Sequence, residues 1–239
     1  AGSIEVPYGV SEYDWIGGVL GQPFEVLQST QTGLPLPANS EIIIEGTAHP
    51  DQKRDEGPFG EWTGYYASDQ RAEPTITVER VLYRSNPIML GSPPGKPPSE
   101  LTAYRSIMRS ALIWDDMEKI AVPDVRGVWC HPAGGTRLLV IVSIKQRYAG
   151  HARQAALAAM SCRAGAYLGR YVVVVDDDID PTNTWDVLWA ICTRSDPEKD
   201  IDIIRKMWSG PLDPIIPADQ RGFNSRALID ATRPFDWKE

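Results

Sequence analysis

Leu138-Leu-Val-Ile-Val-Ser-Ile144, an Ala-rich stretch from Gly150 to Leu168, and Tyr171-Val-Val-Val-Val175 decide the fold class. The two short, almost unbroken apolar runs read as strands covered on both faces. Between them Ala152, Ala155, Ala156, Ala159 and Met160 recur at helical spacing. Parallel neighbours need a crossover of about a dozen residues or more, so strand, helix and strand in this order read as a βαβ unit with a parallel pair. The helix face is narrow and small, which suits close packing on a sheet or on a second subunit.

Toward the N-terminus, Pro93, Pro94, Gly95, Lys96, Pro97 and Pro98 can propagate neither a helix nor a central strand, and mark a boundary near residue 95. Ser99 followed by Glu100, Leu101 and Thr102 is an N-cap context for a helix through about Ala111. Before the boundary, Phe24 to Leu27, Glu41 to Glu45 and Thr75 to Tyr83 read as short strands punctuated by Pro and Gly. Ile76, Val78 and Val81, interleaved with Thr77, Glu79 and Arg80, predict antiparallel structure with one wet face. The expected organisation is α+β over 1–95, then α/β over 96–239.

The 239 residues suffice for one large or two modest cores. Lys and Arg total 24 against 32 for Asp and Glu, a formal charge of −8 that repels phosphate backbones and argues against nucleic acid as a partner. No apolar run approaches the ~18 residues of a membrane span. Cys130, Cys162 and Cys192 match no zinc spacing and are expected as buried thiols in a reducing compartment, the cytoplasm. The opening Ala-Gly-Ser-Ile-Glu-Val-Pro has no initiating Met and no signal-peptide pattern, so a preceding segment is expected.

Glu56-Gly-Pro-Phe-Gly-Glu61 places two carboxylates at the ends of a stretch built to turn. A turn would bring them within the ~5 to 10 Å at which paired acids cooperate, one keeping a proton to deliver. Alone, the pair also fits a surface turn or a glycosidase.

The wider pattern selects among these. Pro37-Ala-Asn-Ser-Glu-Ile-Ile-Ile-Glu-Gly46, Glu56-Gly-Pro-Phe-Gly-Glu-Trp-Thr-Gly-Tyr-Tyr66, Ile144-Lys-Gln-Arg-Tyr-Ala-Gly-His151, Asp176-Asp-Asp-Ile-Asp180, Trp185-Asp-Val-Leu-Trp-Ala190 and Thr193-Arg194 resemble successive signatures of the UbiD decarboxylase family. The resemblance runs from about Ile4 to Trp237. It implies a partial split β-barrel of the flavin-binding type followed by an α/β oligomerisation domain. It also implies removal of carboxylate from an aromatic or α,β-unsaturated acid with prenylated FMN, by a homo-oligomer (dimer or hexamer). By the same resemblance Glu61 is the proton donor and Glu56 its partner in a Glu-Arg-Glu network, while Glu12 is a ligand to Mn²⁺, with K⁺ as a further candidate ion. The network's Arg and the remaining metal ligands, an Asn and a His, are expected upstream of Ala1. The flavin-binding residues are not assignable within the chain. The incomplete barrel would expose strand edges and apolar surface, so self-association or local disorder is expected before residue 95. The competing reading makes these 239 residues a non-catalytic oligomerisation module.

Other conspicuous residues read as structural. Asp176, Asp177, Asp178 and Asp180 suit helix capping and interface hydrogen bonds better than a metal. His151 suits capping or packing, and Cys130 and His131, adjacent on a strand, point to opposite faces. Trp185, Trp189 and Trp208 are expected in the core or at a subunit interface.

Overall fold

The computed structural model describes residues 6, 8–66 and 69–237. The chain divides into two compact units. One runs to Glu56 and includes Arg71–Gly91, and the other combines Gly57–Gln70 with everything from Ser92 on.

The N-terminal unit contains helix α1 (Glu12–Leu20), strands β1 (Val26–Gln28) and β2 (Pro35–Pro37), and a long antiparallel pair, β3 (Ile42–Glu56) and β4 (Arg71–Tyr83). Both long strands outrun the stretches expected from sequence. Gly46, Pro50 and Pro74 read as breaks, yet the ladder absorbs them through register shifts between Glu45 and Gly46 and between His49 and Lys53. The expected dry face is not covered: Ile76 and Val78 are 64% and 53% exposed. Among the described residues of this unit Glu45 is the buried acid: it accepts hydrogen bonds from Ser29 and Thr32 and lies 3.5 Å from Arg80. The described strands form separate two-stranded sheets and close no barrel.

The C-terminal unit is α/β. Helix α2 (Glu100–Lys119) starts at a capping box in which Thr102 N–H donates to Ser99 Oγ and Ser99 N–H donates to Thr102 Oγ1. It runs past Ala111 because its buried face, Thr102, Ser106, Arg109, Ser110, Ile113 and Met117, keeps helical spacing to the end. There follow β5 (Val125–Cys130), β6 (Leu139–Ile144), α3 (His151–Ser161), α4 (Arg163–Ala166), β7 (Tyr171–Asp176), α5 (Thr184–Arg194), α6 (Pro197–Asp200), β8 (Ile201–Trp208) and β9 (Phe223–Ala231).

The five strands form one sheet in the order β5-β6-β7-β9-β8, parallel at β6–β7 and β7–β9 and antiparallel at both edges. The parallel pair around α3 is the one read from the apolar runs. Alternation divides the core: Val140, Val142, Ile144, Val172 and Val174 join residues of α2 and α3, while Ile141, Val173 and Val175 join Val187 and Ala190 of α5. Each fully buried Val or Ile contributes roughly 1.5–3 kcal/mol, so the sheet centre is the firmest part of this unit.

The Ala-rich stretch is two helices. Cys162 takes extended angles between them, and the chain doubles back so closely that a Cβ on Gly165 would lie 1.8 Å from the Ala159 carbonyl oxygen. Gly165→Ala is therefore expected to cost about 1–3 kcal/mol through overpacking, seen as a lower urea midpoint with an unchanged slope. Among the described residues no helix is long and apolar enough to cross a membrane.

Candidate active site

Glu56 is the last residue of β3, exposed and paired in register with Arg71. Glu61 lies in the loop that clusters with the C-terminal unit and is half-buried. Its backbone is held on both sides: Glu61 N–H donates to Tyr65 O at 2.9 Å, Glu61 O accepts from Gly64 N–H at 2.9 Å, and Gly60 bridges to Tyr66. The loop is seated on its own unit. The Trp62 ring covers Gly135, where a Cβ would stand 1.9 Å from the ring and where φ is +58°, while Gly64 lies against Lys96. Glu61 is thus a carboxyl group on a short turn fixed by backbone bonds and an aromatic anchor.

Glu12 opens α1 behind the Ser11 N-cap and is exposed. Asp14 shares that first turn, where acids are favoured by the helix dipole. A cavity of about 530 Å³ beside α1 is lined by Ser11, Tyr13, Asp14, Phe24 and Pro35 among others, with no Lys or Arg. That lining does not suit a flavin phosphate. Among the described residues no group of three or more His, Cys, Asp or Glu could hold a metal ion. Glu12 by itself does not make a site for Mn²⁺ or K⁺, which take several oxygen ligands.

Residues 103–231 match the 3-octaprenyl-4-hydroxybenzoate carboxy-lyase C-terminal domain, and residues 1–97 match the Rift-related domain of the same carboxy-lyase. The chain belongs to the UbiD family. An uncharacterized protein of Aeropyrum pernix is 34% identical over 97% of this chain and 46% of its own length. Among solved structures, the UbiD-class enzyme HmfF from Pelotomaculum thermopropionicum, solved with FMN, superposes with a TM-score of 0.84 at 30% identity over 98% of this chain and 50% of that one. Vanillic acid decarboxylase from Sedimentibacter hydroxybenzoicus gives 0.81 at 33% identity, over 93% and 47% of the two chains. The chain thus spans about half the length of these UbiD-family relatives.

The other conspicuous residues have structural partners. Asp176, fully buried at the end of β7, accepts from Gln146 Nε2 at 2.9 Å and Arg233 N–H at 2.7 Å, with Arg194 at 3.3 Å. Arg194 also grips Asp178 through both terminal nitrogens, at 2.9 and 2.8 Å, which holds the Asp178 carboxyl below its usual range. Asp180 caps the turn at Thr182, and Asn183 caps α5. His151 is packed: Gly150, not His151, is the N-cap, and the buried ring lies 4.8 Å from that of Tyr148. Burial pushes the Cys130 thiol up to about 11, and His131 is engaged with Ala133 N–H and Thr184, so neither residue activates the other. Trp185, Trp189 and Trp208 are 78%, 48% and 54% exposed, so they do not fill the core of this chain.

Sequence reading passed over Arg105, Arg109 and Arg137. The available signal was Arg109, which falls among buried positions of α2 at helical spacing.

Proposed function

We propose that this chain is part of a reversible, non-oxidative carboxy-lyase acting on an aromatic or α,β-unsaturated acid, with Glu61 delivering the proton. The observation that carries the reading is the fixed Glu61 turn, set in a chain that matches UbiD domains over residues 1–97 and 103–231. Loss of CO₂ from an sp² carbon leaves an electron pair that must be stabilised and then protonated. Prenylated FMN is the proposed electron sink of the intact protein, a cofactor class named for UbiD relatives solved with FMN and with prFMN. Its phosphate and metal contacts would come largely from outside these 239 residues, with Glu12 as one ligand to Mn²⁺ or K⁺.

The chain's own part is to hold Glu61 still. Pre-set backbone bonds spare the carboxyl group the orientational cost of reaching the reacting carbon. Glu56 is proposed as its partner across the turn, joined by an Arg that this chain does not supply. By this reading the 239 residues alone turn over no substrate.

The domain limits 1–95 and 96–239, a cytoplasmic location and assembly as a dimer or hexamer belong to the same proposal. The free cysteines and the exposed α5 stripe of Trp185, Leu188 and Trp189 support the last two. Decarboxylation by the intact protein in D₂O is expected to place one deuterium on the carbon that lost CO₂. Product without solvent deuterium there would remove the proton-donor step.

A further inference from the structure

Glu61 sits between Gly60 and Gly64, two residues that leave a backbone soft, and φ at Gly64 is +85°. The bonds that shape its turn, Glu61 N–H to Tyr65 O and Gly64 N–H to Glu61 O, run within the loop itself. They would travel with the loop, so they do not decide where the Glu61 carboxyl group stands. Position comes from what the loop rests on. The neighbouring residue, the half-buried Trp62, supplies a close rest: a Cβ built on Gly135 would lie 1.9 Å from ring carbon Cε3 and 2.0 Å from Cζ3.

The seat under the ring is rigid. Gly135 ends the 3₁₀ turn Pro132–Gly134, its N–H donating to Pro132 O at 2.8 Å, and Leu138 N–H donates to Gly134 O at 2.8 Å as the chain enters β6. Thr136 O accepts from Nε of Arg109 at 3.1 Å, and Arg109 is buried on α2. The turn is thereby tied to a helix and to the sheet. Nor does the backbone alone call for glycine at 135. Gly135 has φ +58°, but Thr136, the next residue, takes φ +65° while carrying a branched side chain. What excludes a side chain at 135 is the Trp62 ring.

We infer that Trp62, seated on Gly135, is the positioning residue that sets where the Glu61 carboxyl group stands. The inference rests on the carboxy-lyase reading above, in which Glu61 delivers the proton. Trp62 and Glu61 share a planar peptide bond, so a ring held against the Gly135 turn restricts the direction in which the Glu61 side chain leaves the backbone. A reacting group displaced by about 1 Å loses on the order of 10²-fold in rate. That loss falls on the chemical step and leaves substrate binding in place, because the ring acts through Glu61.

A double-mutant cycle in the flavin-loaded intact protein tests this. Trp62→Leu and Gly135→Ala are each expected to lower kcat about 10²-fold with KM changed less than about twofold. Gly135→Ala added to Trp62→Leu should cost less than about threefold more, because the ring that the new methyl would strike is gone. Trp62→Phe, which keeps an aromatic ring, should recover part of kcat, and serves if Trp62→Leu does not fold. Losses that multiply would trace the effect of Gly135 to its own backbone, and losses that fall on KM would put Trp62 against substrate; either overturns the inference. A second readout needs no turnover. In the 239-residue chain, hydrogen exchange at the Glu61 and Gly64 amides is expected to rise at least about tenfold in Trp62→Leu, while Val142 and Val174 in the sheet keep their protection. Unchanged exchange at Glu61 and Gly64 would also overturn it. Faster exchange there, in an intact protein that releases no CO₂, sinks the carboxy-lyase reading and leaves Trp62 as the residue that places the Glu61 carboxyl group. An unaltered kcat in Trp62→Leu does the reverse.

Discussion

Glu61→Gln in the flavin-loaded intact protein is expected to lower kcat about 10²- to 10⁴-fold, the usual worth of a positioned proton donor. The substitution keeps the shape of the side chain and leaves the backbone bonds to Tyr65 and Gly64 untouched. KM should therefore change little, because substrate and transition state lose nothing in common. A loss confined to kcat separates a chemical role from a structural one. Rates within threefold of the unaltered protein, with normal flavin absorbance, would end the assignment. Glu56→Gln is the informative companion, since Glu56 stands exposed at the end of β3 and its proposed effect acts through Glu61.

The legibility of this fold follows from how its elements are covered. β6 and β7 are readable because helices cover both faces of the sheet, so nearly every position must be apolar. The end of α2 is not readable by the same rule. Beyond Ala111 only Ile113 and Met117 are buried, and Asp115, Asp116 and Glu118 lie among them, so the apolar rhythm that marks a helix thins. β3 and β4 are underestimated because Gly and Pro inside them look like ends, whereas a bulged antiparallel pair tolerates both. The turn that carries the candidate residue Glu61 is legible because its glycines and Trp62 lie together in sequence. Arg105, Arg109 and Arg137 come from a helix and from a loop before a strand, so no motif unites them.

Arg226→Met is expected to be the most destabilising single change in the C-terminal unit. Arg226, on β9, is 1% exposed. Its Nη1 donates to Met160 O at 2.6 Å and Gly165 O at 3.3 Å, and its Nη2 to Trp208 O at 2.6 Å and to Ala166 O. It therefore fastens the end of α3, the end of α4 and the end of β8 to one strand. Burial alone lowers its pKa from 12.5 to about 10, which corresponds to a penalty on the order of 3 kcal/mol for keeping it charged. Methionine removes the penalty but strands the carbonyls, at roughly 1–3 kcal/mol for each buried acceptor left without a donor. With several such carbonyls the second effect wins, for a net loss of about 3 kcal/mol or more, a large part of the ~5–15 kcal/mol that keeps a domain folded. Urea unfolding followed by far-UV circular dichroism measures it. A midpoint at or above that of the unaltered chain would mean that the burial penalty outweighs the carbonyl bonds, and that the bend at Gly165 holds without Arg226.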